Sequence, residues 1–452
     1  MLAIAIPMVV SMACDGVMVF TDRLFLARLS PLQMNAAMGG GVMFATFVLF
    51  FMGLTGYSTA LVAQYLGAGT KEKSPLVTFQ AILISLASIP ILLALRPFAI
   101  YFFRWMKIPP DQIYFQNLYF SILIYGSVFG ILRNSLSCFF SGIGNTKFVM
   151  IAALTSLVVN IGANYCLIYG KLGLPALGIK GAAIGTIIGS FVGMLVLLFV
   201  YLSKTNRLEF NIFDSFRYDS KVMKKLLYYG FPQGLESFLN LLAFTSFIYI
   251  FYAQGAVTAT ATTIMFNWDY VAFIPLIGVE IGVTSLVGRY MGAGSPETAH
   301  KATISGIKTG FLYSLICFFF FTLMPEPLVR LFHPTEATEV FEQAVPIAVT
   351  MLRIATIYIL AESMMICFIG ALRGAGDTHW AMRASVILHW LFVPIIWACF
   401  NIFHMSAIGG WIALVTFIMV FAFVFALRYK QGKWKTMQVI DYPVISPPEQ
   451  VV

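Results

Sequence analysis

The stretch GGGVMFATFVLFFMGLTGYSTALVAQYLGAGTKEK, residues 39–73, is apolar until it ends in Gly-Ala-Gly and a cluster of charges. An apolar run of about 20 residues can cross the hydrocarbon core of a bilayer as an α-helix. The chain repeats this pattern in FIPLIGVEIGVTSLVGRYMGAGSPE, residues 273–297, which contains the same Gly-Ala-Gly. Together the two stretches predict a helical membrane protein that contains an internal repeat.

The composition of the 452-residue chain supports this class. Charged residues make up 10% and apolar residues 60%, whereas a soluble domain carries about 25% charged residues. A transmembrane β-barrel would show short segments of alternating polarity instead of long apolar runs. We therefore expect an all-α polytopic membrane protein.

Apolar runs bounded by charges, glycines or prolines predict about twelve spans. They lie at 2–26, 37–66, 76–96, 112–140, 147–170, 179–203, 226–253, 257–290, 302–324, 339–371, 380–402 and 407–428. We assign 1–205 and 226–430 to two six-helix lobes and 206–225 to a cytoplasmic linker. Residues 431–452 form a polar cytoplasmic tail, which we expect to be disordered beyond Lys435.

Lysine and arginine are more frequent in one set of loops, and that set is expected to face the cytoplasm. It includes Lys71, Lys73, Lys204, Lys221 and Arg373. Because the number of spans is even, both termini are then cytoplasmic, and we expect a multi-pass protein of the plasma (inner) membrane. The same rule accounts for the net charge of +9, so we expect no nucleic-acid partner.

The cysteines are scattered through apolar stretches and form no CxxC pair. They are Cys14, Cys138, Cys166, Cys317, Cys367 and Cys399. We expect neither disulfides nor a metal site from this pattern, and interpret the cysteines as small packing residues.

The first part of the repeat is a set of matches at an offset of 225 residues. Gly67 matches Gly292, and Pro7 matches Pro232. Gly67 and Gly292, with the nearby Gly69 and Gly294, are predicted to cap the ends of long helices. Glycines within the spans are predicted to allow close helix approach. They are Gly53, Gly56, Gly278 and Gly282.

Two further matches follow in the same order along the chain. SGIGNTKFVM (141–150) resembles RGAGDTHWAM (373–382) at an offset of 232, and LGIKGAAIG (177–185) resembles SAIGGWIAL (406–414) at an offset near 229. Each half holds an even number of spans, so both halves insert the same way up. This arrangement is typical of secondary transporters that rock two bundles around a central site.

These features resemble the multidrug and toxic compound extrusion (MATE) family, on its NorM-like side. The motifs are TDRLFLARLS in span 1, the two Y-x-GAG endings, the GxGNT and RGAGDT turns, and the FP opening of span 7. The resemblance extends to about residue 430. It implies two lobes in a V shape with a cavity between them. It also implies export of cationic or amphipathic compounds in exchange for Na⁺ or H⁺. We expect a monomer that contacts small organic substrates and membrane lipid and needs no cofactor besides the coupling ion.

Acidic residues within the spans are candidate sites. A charge at the bilayer centre costs about 2.5–3.5 kcal/mol on insertion scales, so it usually faces a cavity or a partner. Six acids lie in the predicted spans: Asp15, Asp22, Glu236, Asp269, Glu280 and Glu362. Because few bases accompany them, we expect that they are not simply paired and can bind a proton or Na⁺. Hard cations prefer several oxygen ligands, which carboxylates and amides can supply.

In the first half, the resemblance identifies Asp22 as the family's span-1 acid, which binds the cation or proton. Asn160 and Asn164 match the family's span-5 amides, and their spacing of four residues puts them on one helical face. Asp15 lies seven residues before Asp22 on the same face. Alternatively, Arg23 or the bilayer surface satisfies Asp22, and the two amides hold helices together.

In the second half, Glu362 lies eleven residues before Arg373 and matches the family's span-10 acid. The alternative is that Glu362 is a partner for Arg353. Span 7 departs from the family pattern, because Asn240 stands where a glutamate is usual. Glu236 lies one turn earlier on the same face and is a candidate replacement.

Three more residues are candidates in the second half. Glu280 interrupts the repeated stretch where the first half has Thr55. Asp269, in FNWDYVAF, is a weaker candidate, whose alternative is a hydrogen bond to a neighbouring Trp or Tyr. His389 occupies the place of Asn160 at an offset of 229, and is either a proton-responsive group or a hydrogen-bonded core residue.

Other functional classes fit the sequence less well. A lipid-linked precursor flippase of the same superfamily remains the alternative, although such proteins tend to carry basic residues in the cavity to hold pyrophosphate. The chain contains no HExxH or GxSxG motif, so we expect no enzyme. It also contains no Walker A loop, so ATP would need a separate partner.

Overall fold

The computed structural model describes residues 1–105, 108–333 and 339–440. Within these residues, twelve helices are long and apolar enough to span a membrane and no strand is formed, which confirms the predicted class. The helices are α1 (Leu2–Leu29), α2 (Pro31–Gly56), α3 (Ser58–Gly67), α4 (Lys73–Trp105), α5 (Pro110–Gly142), α6 (Lys147–Tyr169), α7 (Ile179–Tyr201), α8 (Lys204–Phe210), α9 (Ser220–Tyr252), α10 (Ala256–Gly292), α11 (Pro296–Leu323), α12 (Pro325–Arg330), α13 (Glu339–Ala375), α14 (Thr378–Asn401) and α15 (Ala407–Lys430). We call α1–α7 the N-terminal lobe and α9–α15 the C-terminal lobe; α2 and α3 together form one span.

Several helices extend beyond the predicted spans. α9 begins at Ser220 because the side chain of Asp219 accepts hydrogen bonds from N–H groups of the first turn, at 2.9 Å. The segment predicted as a linker therefore contains the first turns of a span. α4 continues through Pro97 to Trp105, since neighbouring groups in a helical bundle can satisfy the carbonyl that a proline leaves free.

The matched glycine motifs form matched helix ends. Gly69 and Gly294 adopt φ values of +76° and +66°, and Gly144 and Gly376 adopt +81° and +101°, a conformation that favours glycine. At each end, the N–H of the following residue donates to the carbonyl five positions earlier, at 2.8–3.0 Å. The pairs are Thr70–Tyr65, Ser295–Tyr290, Asn145–Phe140 and Asp377–Leu372. The same geometry recurs at offsets of 225 and 232 residues, which supports the duplication.

Gly67 and Gly292 are not the capping residues that we predicted, because each is the last residue of its helix. Their role is to bring the lobes together. A Cβ atom at Gly67 would overlap the carbonyl of Arg289, and a Cβ at Gly292 would overlap the carbonyl of Gln64. Residues 64 and 289 are also 225 apart, so the two contacts are related by the repeat. The same relation holds for the contacts Gly53–Gly234 and Val9–Gly278.

These contacts between the lobes all lie toward one end of the helical bundle, the end at which Met1 and Lys430 lie. We call this end the terminus side and the opposite end the far side. The tail also packs on the terminus side. Val439 and Ile440 are buried in the apolar cluster of the N-terminal lobe that contains Tyr57. The prediction of disorder beyond Lys435 is therefore wrong as far as Ile440, because the apolar side chains of Val439 and Ile440 pack into this cluster.

Candidate cation and substrate sites

Asp22 is buried in the N-terminal lobe among neutral groups. Its side chain comes from α1, while α6 and α7 supply its neighbours. Asn164 Nδ2 donates to one carboxylate oxygen, and Thr186 Oγ1 lies 2.8 Å from the other. Among the described residues no lysine or arginine forms an ion pair with Asp22, so Arg23 does not satisfy it in that way. The site thus keeps a carboxylate without a salt-bridge partner inside a membrane protein.

Close packing of α6 against α7 creates this neighbourhood. Glycines recur every four residues along α7, a pattern that lets helix backbones approach. A Cβ atom at Gly185 would overlap the amide of Asn164, and a Cβ at Gly189 would lie 2.9 Å from the Cβ of Asn160. The approach brings Thr186 to Asp22, a role that we did not predict. The glycine spacing around this threonine is the signal that could have indicated it.

The two asparagines offer atoms with no protein partner. Asn160 is fully buried and lies beside Asp22, yet among the described residues neither Oδ1 nor Nδ2 has a partner in hydrogen-bond geometry, and Asn164 Oδ1 also has none. Buried polar atoms are usually hydrogen-bonded, and leaving one unpaired costs about 1–3 kcal/mol. Carboxylate, hydroxyl and amide oxygens are the ligands that a hard cation prefers, and this region holds all three kinds, with Asn164 turning its Nδ2 atom toward Asp22.

Asp15 is separate from this cluster and is paired. Arg133 Nη2 lies 2.8 Å from Asp15 Oδ1, and the two side chains are 16% and 35% exposed. The prediction that the acids are not simply paired is wrong for Asp15, because Arg133 on α5 is its partner. Arg133 is visible in the sequence as a single charge within GILRNSLS.

The same expectation is wrong for two acids of the C-terminal lobe. Arg373 donates to Glu280 through Nη1 and lies 3.1 Å from Glu236 through Nη2. The prediction that Arg373 lies in a cytoplasmic loop is wrong, because α13 continues to Ala375 and the guanidinium reaches between α9 and α10. Buried charges are normally paired, and this triad follows that rule.

Asp269 and Glu362 make no ion pair with any described residue. Tyr358, one turn before Glu362 on α13, donates its hydroxyl proton to Asp269, which is the alternative that the sequence left open. Glu362 is 7% exposed, and no described residue donates a hydrogen bond to it. Arg353, the alternative partner of Glu362, forms no ion pair with it.

Asn240 and His389 both lie against Ser385. Asn240 Nδ2 donates to Ser385 Oγ at 2.8 Å, while Asn240 Oδ1 is buried without a partner. His389 Nδ1 lies 2.8 Å from the carbonyl of Ser385, and its ring is nearly parallel to that of Phe247, with centroids 6.3 Å apart. The hydrogen-bonded interpretation of His389 therefore has direct geometric support.

A cavity of about 560 Å³ within the C-terminal lobe brings these groups together. Its polar lining includes Glu236, Asn240, Asp269, Glu280, Glu362 and His389. Most of the remaining wall is aromatic or aliphatic. The volume falls in the range of small-molecule sites, which combine apolar walls with a few placed polar groups. Of the ten residues singled out in the sequence, six meet here, three meet at Asp22, and Asp15 stands apart.

A duplicated helical bundle with buried, partly uncompensated carboxylates defines a polytopic membrane transporter. The MatE family model matches residues 7–166 and 232–398, one segment in each lobe. The chain therefore belongs to the MATE family of multidrug efflux transporters, on its NorM-like side.

Curated relatives agree with this assignment. "Probable multidrug resistance protein NorM" of Thermotoga maritima is 26% identical, over 85% of this chain and 81% of the relative. The protein of the same name from Shewanella oneidensis is 26% identical, over 95% and 94%. "Multidrug resistance protein NorM" of Vibrio cholerae is 24% identical, over 86% and 84%.

Solved structures share the fold. One is described as the outward-facing conformation of a multidrug resistance MATE family transporter, with a TM-score of 0.84, 20% identity, and coverage of 96% of each chain. Another, a MATE protein in complex with MaL6, has a TM-score of 0.86, 20% identity and the same coverage. At this identity the likeness establishes the architecture alone.

Proposed function

We propose that this protein exports cationic or amphipathic organic compounds across the plasma (inner) membrane in exchange for Na⁺ or H⁺. The observation that carries the proposal is the buried carboxylate of Asp22, which has no ion-pair partner and lies beside unpaired amide atoms of Asn160 and Asn164. A group in this setting gains from binding a cation or a proton, and transport can be coupled to that event.

The two lobes would then have different roles. Asp22, Asn160, Asn164 and Thr186 would bind the coupling ion in the N-terminal lobe. The C-terminal cavity would bind the organic substrate, with Glu362 and other carboxylates near its charge and aromatic walls against its rings. Glu362 would also take part in coupling, since a proton or a cation can neutralise it when the substrate leaves.

The pairing of two arginines inside the lobes, Arg133 and Arg373, favours an exporter over a lipid-linked precursor flippase. A pyrophosphate group needs free basic residues, but Arg133 is held by Asp15 and Arg373 by Glu236 and Glu280. The remaining cavity charge is acidic, which attracts cations.

The positive loops support a cytoplasmic terminus side, with both termini inside. Because the close contacts between the lobes lie on that side, this conformation would be closed toward the cytoplasm. The opposite state would require those contacts to separate.

The test is efflux of ethidium from proteoliposomes that contain the purified protein. A Na⁺ gradient at equal pH and a pH gradient without Na⁺ are applied separately to wild type, Asp22→Asn and Glu362→Gln. Asp111→Asn is the matched control, because Asp111 is an exposed acid in the first turn of α5. We expect wild type and the control to respond to one of the two gradients and both site variants to fall to background.

The responding gradient identifies the coupling ion. Activity that persists in Asp22→Asn would contradict the role of this carboxylate. No response of the wild type to either gradient would contradict antiport of organic cations and favour the flippase alternative.

A further inference from the structure

A second recess lies away from both sites, on the outer face of α4. It has a volume of about 330 Å³ and is lined by Arg96, Pro97, Ile100, Tyr101 and Arg104. Arg96, Ile100 and Arg104 are spaced by four residues and therefore share one helical face. Two positively charged side chains, Arg96 and Arg104, thus line a single groove.

Neither arginine has an acidic partner. Arg96 donates through Nε to Ser121 Oγ at 2.9 Å and through Nη1 to Tyr125 Oη at 3.1 Å, and both acceptors are neutral. Within the described residues, no aspartate or glutamate forms an ion pair with Arg96 or Arg104. By contrast, Arg133 and Arg373, which reach into the lobes, are held by carboxylates.

Other side chains of α4 form an exposed apolar surface. Leu86, Ile91 and Phe98 are 46%, 49% and 58% exposed on α4, as expected of a surface that contacts lipid chains. Arg104 lies in the last turn, and Arg96 lies two turns deeper, about 12 Å along the axis. An unpaired cation at such a depth is unfavourable unless it reaches the headgroup layer or meets an anion.

We propose that this groove binds the phosphate of an anionic phospholipid in the far-side leaflet, with its acyl chains against the exposed apolar surface of α4. The two guanidinium groups supply the charge complementarity, since arginine forms strong hydrogen bonds to phosphate oxygens. At an offset of 225 residues from Arg96 and Arg104, the C-terminal lobe has Phe321 and Val329.

Native mass spectrometry can test this proposal on the full-length protein. Phosphatidylglycerol and phosphatidylcholine with the same acyl chains are added, and the lipid adducts are compared between wild type and the Arg96→Gln/Arg104→Gln variant. Arg330→Gln is the matched control, because Arg330 also lies on the far side but pairs with Glu326 and Glu342. A conservative Arg96→Lys/Arg104→Lys variant keeps the charges.

We expect phosphatidylglycerol retention to fall about fivefold for each arginine removed, so about 25-fold in the double variant. Phosphatidylcholine retention should stay constant and show that the variant is folded. The control and the lysine variant should retain most of the binding. Unchanged phosphatidylglycerol retention in the glutamine variant would overturn the proposal. Arginine-dependent stabilisation by inorganic phosphate without retention of the lipid would also overturn it.

Discussion

Asp22 in the N-terminal lobe is surrounded by amides and a hydroxyl, whereas Glu236 and Glu280 in the C-terminal lobe share the guanidinium of Arg373. The internal repeat allows the two clusters to be compared position by position. The positions equivalent to the charged triad are Ser11, Thr55 and Ser141. The positions equivalent to Asp22, Asn160, Asn164 and Thr186 are Phe247, His389, Val393 and Val415. Each lobe therefore has a polar cluster where the other has uncharged or apolar groups.

The framework, in contrast, is kept in both halves. The same helix ends close on left-handed glycines, and the same backbone contacts join the lobes. Packing of backbone against backbone tolerates little change, so duplicated helices keep their small residues. Buried charges can differ between the two lobes, because each charged group needs a partner only within its own lobe. We therefore expect the Arg373 triad to stabilise the fold and, under the proposed function, Asp22 to bind the coupling ion.

The largest effect should come from breaking the triad. Arg373→Met leaves two buried carboxylates without a partner, and we expect a loss of about 3–5 kcal/mol in stability. Thermal unfolding in detergent measures it. Combining this change with Glu236→Gln and Glu280→Gln should restore much of the stability. If Arg373→Met unfolds at the wild-type temperature, the triad is not a stabilising element.

Matched substitutions at the lobe contacts should have the next largest effect. Gly67→Ala and Gly292→Ala each force a methyl group against a carbonyl of the other lobe, and we expect each to cost about 1–3 kcal/mol. Thermal unfolding again gives the comparison. Gly162→Ala is the control, because nothing lies within 4 Å of a Cβ at this helical position. Clearly unequal costs at Gly67 and Gly292 would argue against an equivalent pair of contacts.

A smaller effect is expected at Asn160. Within the described part of the chain its amide makes no well-formed hydrogen bond, so we expect Asn160→Ala to change thermal unfolding little. If the amide is a ligand of the coupling ion, the apparent ion affinity should fall roughly tenfold, equivalent to about 1.4 kcal/mol. The dependence of ethidium efflux on ion concentration measures this affinity. A large loss of stability with unaltered ion dependence would instead assign Asn160 to helix packing.

The smallest effect is expected at Asp15. Its pair with Arg133 is partly exposed, and such pairs contribute about 0–1 kcal/mol. Asp15→Asn should therefore change thermal unfolding little and leave the identity of the coupling ion unaltered. A collapse of efflux in this variant, with Asp111→Asn still active, would place Asp15 in the coupling machinery alongside Asp22.

The sequence by itself determined the membrane class, the twelve spans and the duplication. These follow from apolar run lengths and from glycine motifs at fixed offsets, both of which are local properties of the chain. It also indicated which acids to consider, because a carboxylate in an apolar run stands out wherever it folds.

Tertiary structure decided which of these acids are paired. Arg373 lies near the end of α13, and only its reach between α9 and α10 brings it to Glu236 and Glu280. Thr186 reaches Asp22 because glycines on α7 let α6 come close. Electrostatic pairing acts over a few ångströms in space. These partners lie on separate helices, 93 to 164 residues apart in the sequence, so spacing along the chain does not by itself specify which groups meet.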